Sequence, residues 1–458
     1  MRSFIALSAC ACLMSCAAVG PNYVPPQINL PDSFAFSARN QLEAAAQERW
    51  WERFGDKELN ALMSEGLAAS LDIQIATERL TEARATYRAQ RSGASQVSGD
   101  LSLQADRFDG GGSRELAEFD AAYVFDLFGG FRRRREQALA TVDATAAEAQ
   151  TTRLAFQAEL FSAYIEARFF QRSQVITRRS IKNRSETLKL IDQRREVDEA
   201  TLIDNRRAEG ELALQRANLP AFKTGFEVNT VRLGTLLGKS SPEIAARLKK
   251  SYKGIPLPRK TYGAGVPANL LRNRPDIRAA ERRLASSMAA VGVSEAELYP
   301  SLSVGGTIRV SSDNSLQIGP ALTIPLLSRP RLLANRDAAI SRARQAELQW
   351  QSAVRDAIGE VEENLSRSKN GWTEISQLRR AAVSYSQLSK LSRDAYSLGA
   401  ATLFETLDAE DDLTGTQTRL AQAYRSYALA QAQLAIATGR GSMVGAPTDE
   451  TGTERPTN

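Results

Sequence analysis

Histidine is absent from all 458 residues, which removes the commonest general base and the commonest metal ligand from any mechanism. No G-x-S-x-G nucleophile elbow and no G-x-x-x-x-G-K-S/T phosphate loop occurs either, so an enzyme is not expected. After Met1-Arg2-Ser3 comes an apolar stretch from Phe4 to Met14 that contains Cys10 and Cys12, and the third and last cysteine, Cys16, follows it. A basic start, a short apolar run and a small residue, Ser15, ahead of Cys16 read as an export signal cut before Cys16. Cys10 and Cys12 leave with that signal, which excludes a disulfide framework.

Leu13-Met14-Ser15-Cys16 resembles the bacterial lipobox, in which the cysteine becomes the acylated first residue of the mature chain. The resemblance implies a covalent lipid on Cys16 and no other cofactor; the alternative is an ordinary secretory signal with an incidental cysteine. No later apolar run approaches the roughly 20 residues of a membrane-spanning helix, so membrane contact falls to a lipid anchor or a β-barrel. The formal charge of +6 is spread as arginines among glutamates along helical stretches. These are solvated helix faces, and no nucleic-acid partner is expected.

The elements that position these groups come in duplicate. Ala200-Thr201-Leu202-Ile203-Asp204, then Ala208-Glu209 and Leu212, matches Ala401-Thr402-Leu403-Phe404-Glu405, then Ala409-Glu410 and Leu413, at an offset of 201. Asp72-Ile73, Ala76 and Arg79-Leu80 match Asp276-Ile277, Ala280 and Arg283-Leu284 at an offset of 204. Each half runs helix, two alternating segments, very long helix, turn, helix. The composition predicts helices over 57–90, 131–197 and 201–219, then over 275–298, 332–398 and 402–438. Two helices of ~100 Å at about 1.5 Å per residue require helical neighbours, hence a coiled-coil assembly.

Strands are predicted at about 99–108 and 116–128, and again at about 301–310 and 315–326. Ala121, Tyr123, Phe125 and Leu127 alternate with Asp120, Ala122, Val124 and Asp126; Leu302, Val304, Ile308 and Val310 alternate with Ser303, Thr307 and Arg309. One apolar and one polar face over about ten residues suits a lipid-facing barrel around a wet lumen, and equally a half-buried soluble sheet. Two hairpins leave open edges, so in lipid several chains must share one barrel.

Three stretches carry a family resemblance from Cys16 to about Gly441: Ala18-Val19-Gly20-Pro21-Asn22-Tyr23-Val24-Pro25-Pro26; the run Val266 to Glu281 with Tyr299-Pro300-Ser301-Leu302; and Tyr396-Ser397-Leu398-Gly399 with Leu407-Asp408-Ala409. The chain resembles the TolC-like outer-membrane factors, in the lipoprotein branch that serves resistance-nodulation-division pumps. That resemblance implies a mostly α fold with a small β part. It implies a homotrimer whose 12-stranded outer-membrane β-barrel, four strands per protomer, continues as a long α-helical coiled-coil periplasmic barrel. Its implied partners are a periplasmic adaptor (membrane fusion) protein, an inner-membrane efflux pump and outer-membrane lipid. Its implied role is a duct exporting small molecules; the alternatives are a secretion-system component and a non-channel coiled-coil lipoprotein.

By position in the family motif, Phe404 and Asp408 match an apolar and a charged ring that close the periplasmic end, and Asp411 stands where arginine is frequent. Glu410 and Asp412 beside it imply a more acidic mouth. Asp198, Thr201, Leu398, Gly399 and Thr402 fall at the implied contact with the adaptor. Val197-Asp198-Glu199-Ala200 lacks the glycine usual in the first of the two turns, which leaves its geometry open. Arg132 to Arg135 read as a solvated collar, or as a run that lines the lumen or meets lipid phosphates. The boundaries that follow are a signal over 1–15, a lipidated extension over 16–56, a repeat over 57–237, an irregular connector over 238–266, a second repeat over 267–441 and a disordered tail over 442–458.

Overall fold

The computed structural model describes residues 18–36, 48–93, 96–107, 109, 113–260, 265, 267–311 and 314–443. Cys16 lies outside them. Helices α1 (Lys57–Ala69) and α2 (Leu71–Arg91) precede strands β1 (Val97–Arg107) and β2 (Ser113–Val124). Then come α3 (Gly130–Glu196), α4 (Leu202–Leu237), α5 (Ser241–Lys250), α6 (Ala268–Asn273) and α7 (Pro275–Ala296). β3 (Ser301–Val310), β4 (Ser315–Thr323), α8 (Arg329–Ser397) and α9 (Leu403–Ala437) complete the order. The chain divides into two compact units, each built from both sequence halves: 1–29, 74–149 and 275–356, and 30–73, 150–274 and 357–458.

In the first unit the strands form one antiparallel sheet in the order β1-β2-β3-β4, so β1 and β4 are its edges. The register sorts the residues by face: Leu101 opposes Phe119, Phe119 opposes Ile308 and Ile308 opposes Leu316, while Glu118 opposes Arg309 and Asp120 opposes Thr307. The polar face is internally paired, with Arg309 Nε donating to Glu118 at 2.8 Å and the Thr307 hydroxyl donating to Asp120. The apolar face is bare: Leu103 is 75% and Ile318 76% exposed. β2 ends at Val124 rather than 128 because Asp126 turns the chain, its carboxylate accepting from the N–H groups of Phe131 and Arg132 at 3.1 and 2.9 Å. That caps α3. β4 likewise stops at Thr323, short of 326.

The second unit packs around Trp50, Trp51, Leu59, Leu62, Met63, Leu160, Phe161 and Tyr164, all at most 1% exposed. Trp50 Nε1 donates to Gln157 at 2.9 Å and Gln157 Nε2 to the Gly441 carbonyl at 2.9 Å, which ties the segments at Trp50 and Gly441 to α3. Ser442 is 1% exposed, so the described part of the expected tail is packed.

Three helix expectations are corrected. The helix expected over 57–90 is two, because Ser70 turns to ψ 120° and closes α1. α4 continues past Leu219 and through Pro220 to Leu237. The proline costs about 3 kcal/mol, offset by burial of Phe226, Leu233 and Leu237 beyond it. The connector is not wholly irregular: Pro242 at its first turn and Lys249-Lys250 at its last form α5. Arg168, wholly buried, holds that helix end, donating to Leu248 O at 2.7 Å and to the Ser251 hydroxyl at 2.9 Å.

Candidate functional site

The two long helical hairpins of the second unit end in turns built alike. After α3, Glu199 N–H donates to Arg194 O at 2.8 Å and Asp198 N–H to Arg195 O at 3.1 Å; after α8, Ala400 donates to Ala395 at 2.9 Å and Gly399 to Tyr396 at 3.0 Å. This pair of bonds is a Schellman closure, whose C′ residue must be left-handed. Gly399 takes φ 74° there and Asp198 takes φ 62°, so an aspartate supplies the conformation that the second turn gives to glycine. Thr201 with Asp204, and Thr402 with Glu405, then form capping boxes that restart the helices. Hydrogen bonds from Thr402 hold the Glu405 carboxyl below its usual range.

Behind the turns, Ile191, Ala208, Tyr396, Leu403 and Leu407 form a core. Burial pushes the Tyr396 phenol up, against the opposing effect of the nearby Arg194 guanidinium. Arg194 stacks 5.0 Å over the Tyr396 ring and donates to its carbonyl at 2.5 Å, joining α3 to α8.

The predicted acidic residues separate into two sets. Phe404, 64% exposed, Asp408 and Asp412 all face outward and stand four residues apart on α9, one stripe along the helix. Asp411, exposed as well, is instead ion-paired with Arg184, whose side chain is 3% exposed and also donates to Glu211 at 3.0 Å. Glu410 is no part of an acidic mouth: it is 2% exposed and accepts from Arg393 at 2.6 Å and from Thr187 at 3.1 Å. Arg184 and Arg194 thus bind one hairpin to the other, as Thr187 does through Glu410; Arg393 joins α8 to α9 through Glu410 and reaches Glu186 on α3 at 3.7 Å, and sequence reasoning assigned none of these arginines a role.

Of the expected contact residues, Leu398 is 84% exposed, and Asp198, Thr201, Gly399 and Thr402 lie on the exposed turn surface beside it. In the other unit the sheet stands with one apolar face uncovered and two edges.

No helix among the described residues is long and apolar enough to cross a membrane. Nodulation protein T of Rhizobium leguminosarum bv. trifolii is 32% identical over 449 residues, 94% of this chain and 95% of that one. The pyoverdine export outer membrane protein OpmQ of Pseudomonas putida is 28% identical, over 93% of this chain and 95% of its own. Among solved structures, the outer-membrane channel OprN superposes with a TM-score of 0.82 at 27% identity, covering 93% of this chain and 99% of that one. The open state of the Neisseria gonorrhoeae MtrE outer membrane channel shares the fold, with a TM-score of 0.80 at 22% identity over 93% of this chain and 98% of its own. The family model described as outer membrane efflux protein matches residues 62–239 and 266–440, and the chain belongs to that family.

Proposed function

We propose that three copies of this chain form an outer-membrane duct that carries small molecules outward from an inner-membrane pump and a periplasmic adaptor. One observation carries this: a four-stranded amphipathic sheet with a bare apolar face and open edges on β1 and β4. Strands of 9 to 12 residues have the length for a tilted crossing. Pairing β4 of one copy with β1 of the next satisfies the edge groups, and the apolar face meets lipid while the paired Glu118–Arg309 face lines water. The lipid on Cys16 supplies a second membrane attachment.

The turn end of the helices is the gate. Phe404 narrows the passage and three Asp408 carboxylates crowd around one axis, repelling one another and attracting cations. Asp412 extends that acidic stripe, while Asp411 serves as a latch through Arg184. Opening moves one hairpin against the other, so it competes with the Arg184–Asp411, Arg194–Tyr396 and Thr187–Glu410 links. An adaptor that binds the open arrangement more tightly shifts that balance, and the exposed Leu398 with Asp198, Thr201, Gly399 and Thr402 forms its contact surface.

Conductance of the reconstituted protein tests the gate: Asp408→Ala weakens block by divalent cations, and Asp411→Asn raises open probability. Unchanged block and gating in both variants would remove the gate from this end.

A further inference from the structure

The basic run at 132–135 is not one solvated patch. Arg132 pairs with Glu136 at 3.3 Å and Arg134 with Glu297 at 3.5 Å near the surface, whereas Arg133 is 3% exposed. The N-terminal segment fills its fork. Arg133 Nε donates to Val19 O at 3.1 Å, and Nη2 donates to Gly20 O at 3.0 Å and to Asn22 Oδ1 at 2.9 Å; Nη1 keeps Glu136 at 2.7 Å. Val19 N–H closes on Phe128 O at 3.0 Å. Two glycines make the approach possible: a Cβ on Gly20, whose φ is +84°, would stand 2.6 Å from the Gly292 Cα, and one on Gly292 would stand 2.9 Å from the Arg133 side chain. Farther along, Tyr23 donates to Glu281 at 2.9 Å.

A guanidinium is costly to bury unless its donors are satisfied. Three of the acceptors here come from a segment more than a hundred residues away in sequence. Burial of Arg133 and docking of Ala18 to Asn22 are therefore one event, and lifting the segment leaves the buried cation with Glu136.

We propose that Arg133 is a positioning residue for the N-terminal anchor, gripping Ala18 to Asn22 as a strap at the strand-to-helix junction. Cys16 precedes Ala18 by two residues, a reach of at most ~7 Å, so the anchor is held at the foot of the sheet instead of on a loose tether. This rests on Cys16 being lipidated. The strap gives the acyl chains and the bare sheet face one common depth in the leaflet, and it accounts for a motif that the duct itself leaves without a task.

In the full lipidated chain, Val19→Cys is the single free thiol, because Cys10 and Cys12 leave with the signal and the Cys16 sulfur is acylated. Maleimide labelling of the detergent-extracted protein is slow in Val19→Cys alone. It is about tenfold or more faster with Arg133→Ala added, since a lost charge-assisted hydrogen bond shifts a docking equilibrium by that order. Arg133→Lys, which keeps the charge without the fork, labels nearly as fast as the alanine variant. Gly20→Ala releases the strap from its own side and decides the matter if Arg133→Ala fails to assemble. Equal labelling rates with and without these changes overturn the strap. Labelling of the wild type, which has no added cysteine, overturns lipidation instead, and the strap is then scored from the excess over that background.

Discussion

Asp198 shows how a single residue carries out-of-pattern chemistry at modest cost. At φ 62° it sits where an L side chain is disfavoured, and Gly399 occupies the matching place in the other turn. Asp198→Gly should raise stability by about 0.5–1 kcal/mol in chemical denaturation, and Gly399→Ala should lower it by about 1 kcal/mol. The sequence marked this turn as irregular through its missing glycine, but the backbone angle came only from the structure. Glu65 offers a pH test. Hydrogen bonds from Arg247 are the largest cause, aided by Lys239, holding its carboxyl down at about 2. A depressed carboxyl stabilises the fold above its ordinary pKa and loses that contribution as the pH falls through the folded value. The stability gap between wild type and Glu65→Gln should therefore be full at neutral pH and shrink between about pH 4.5 and about pH 2. A gap that stays constant across that window would mean that the Arg247 contact contributes nothing.

Among the elements, the four strands were legible because period-two alternation survives in each, and α3, α8 and α9 because their helical patterns run on with no proline beyond the first turn. The misjudged element ends have local causes. Pro220 reads as a stop, yet the helix crosses it because tertiary burial beyond the proline outweighs the lost hydrogen bond. Ser70 and Asp126 act through capping geometry that composition does not display. The arginine links were illegible for a different reason: Arg184 finds Asp411 across 227 residues, and Arg133 finds Asn22 across 111. Nothing near either arginine in sequence names its partner. The stripe and the latch on α9 should separate by substitution. Asp408→Asn should leave thermal stability within about 0.5 kcal/mol, since its carboxylate is exposed. Asp411→Asn should destabilise by about 1 kcal/mol, because the buried Arg184 loses a charged acceptor, although the 57% exposure of Asp411 limits the loss. Equal melting temperatures for the two variants would contradict the division.

The whole molecule is two compact units, each drawing on both sequence repeats, because the long helices α3 and α8 each begin in one unit and end in the other. This explains why the repeat was plain in the sequence while the division into units was not: the duplication copies a helix-strand-strand-helix order, whereas each unit takes segments from both copies. The bare face of the sheet sets large apolar side chains such as Leu103 and Ile318 against solvent. Ile318→Arg, on that face, should cost about 2–4 kcal/mol of membrane stability, while Gln317→Arg on the opposite face is tolerated. The two residues are adjacent in sequence and differ only in the side of β4 they occupy. The duct itself is tested most directly by single-channel recording of the purified full chain in planar bilayers, beside Asp411→Asn. A shared barrel closed by the helical turns predicts discrete openings that are rare in the wild type and frequent in the variant. A protein that assembles and inserts yet passes no current, even with Asp408 and Asp411 both replaced by alanine, would contradict it.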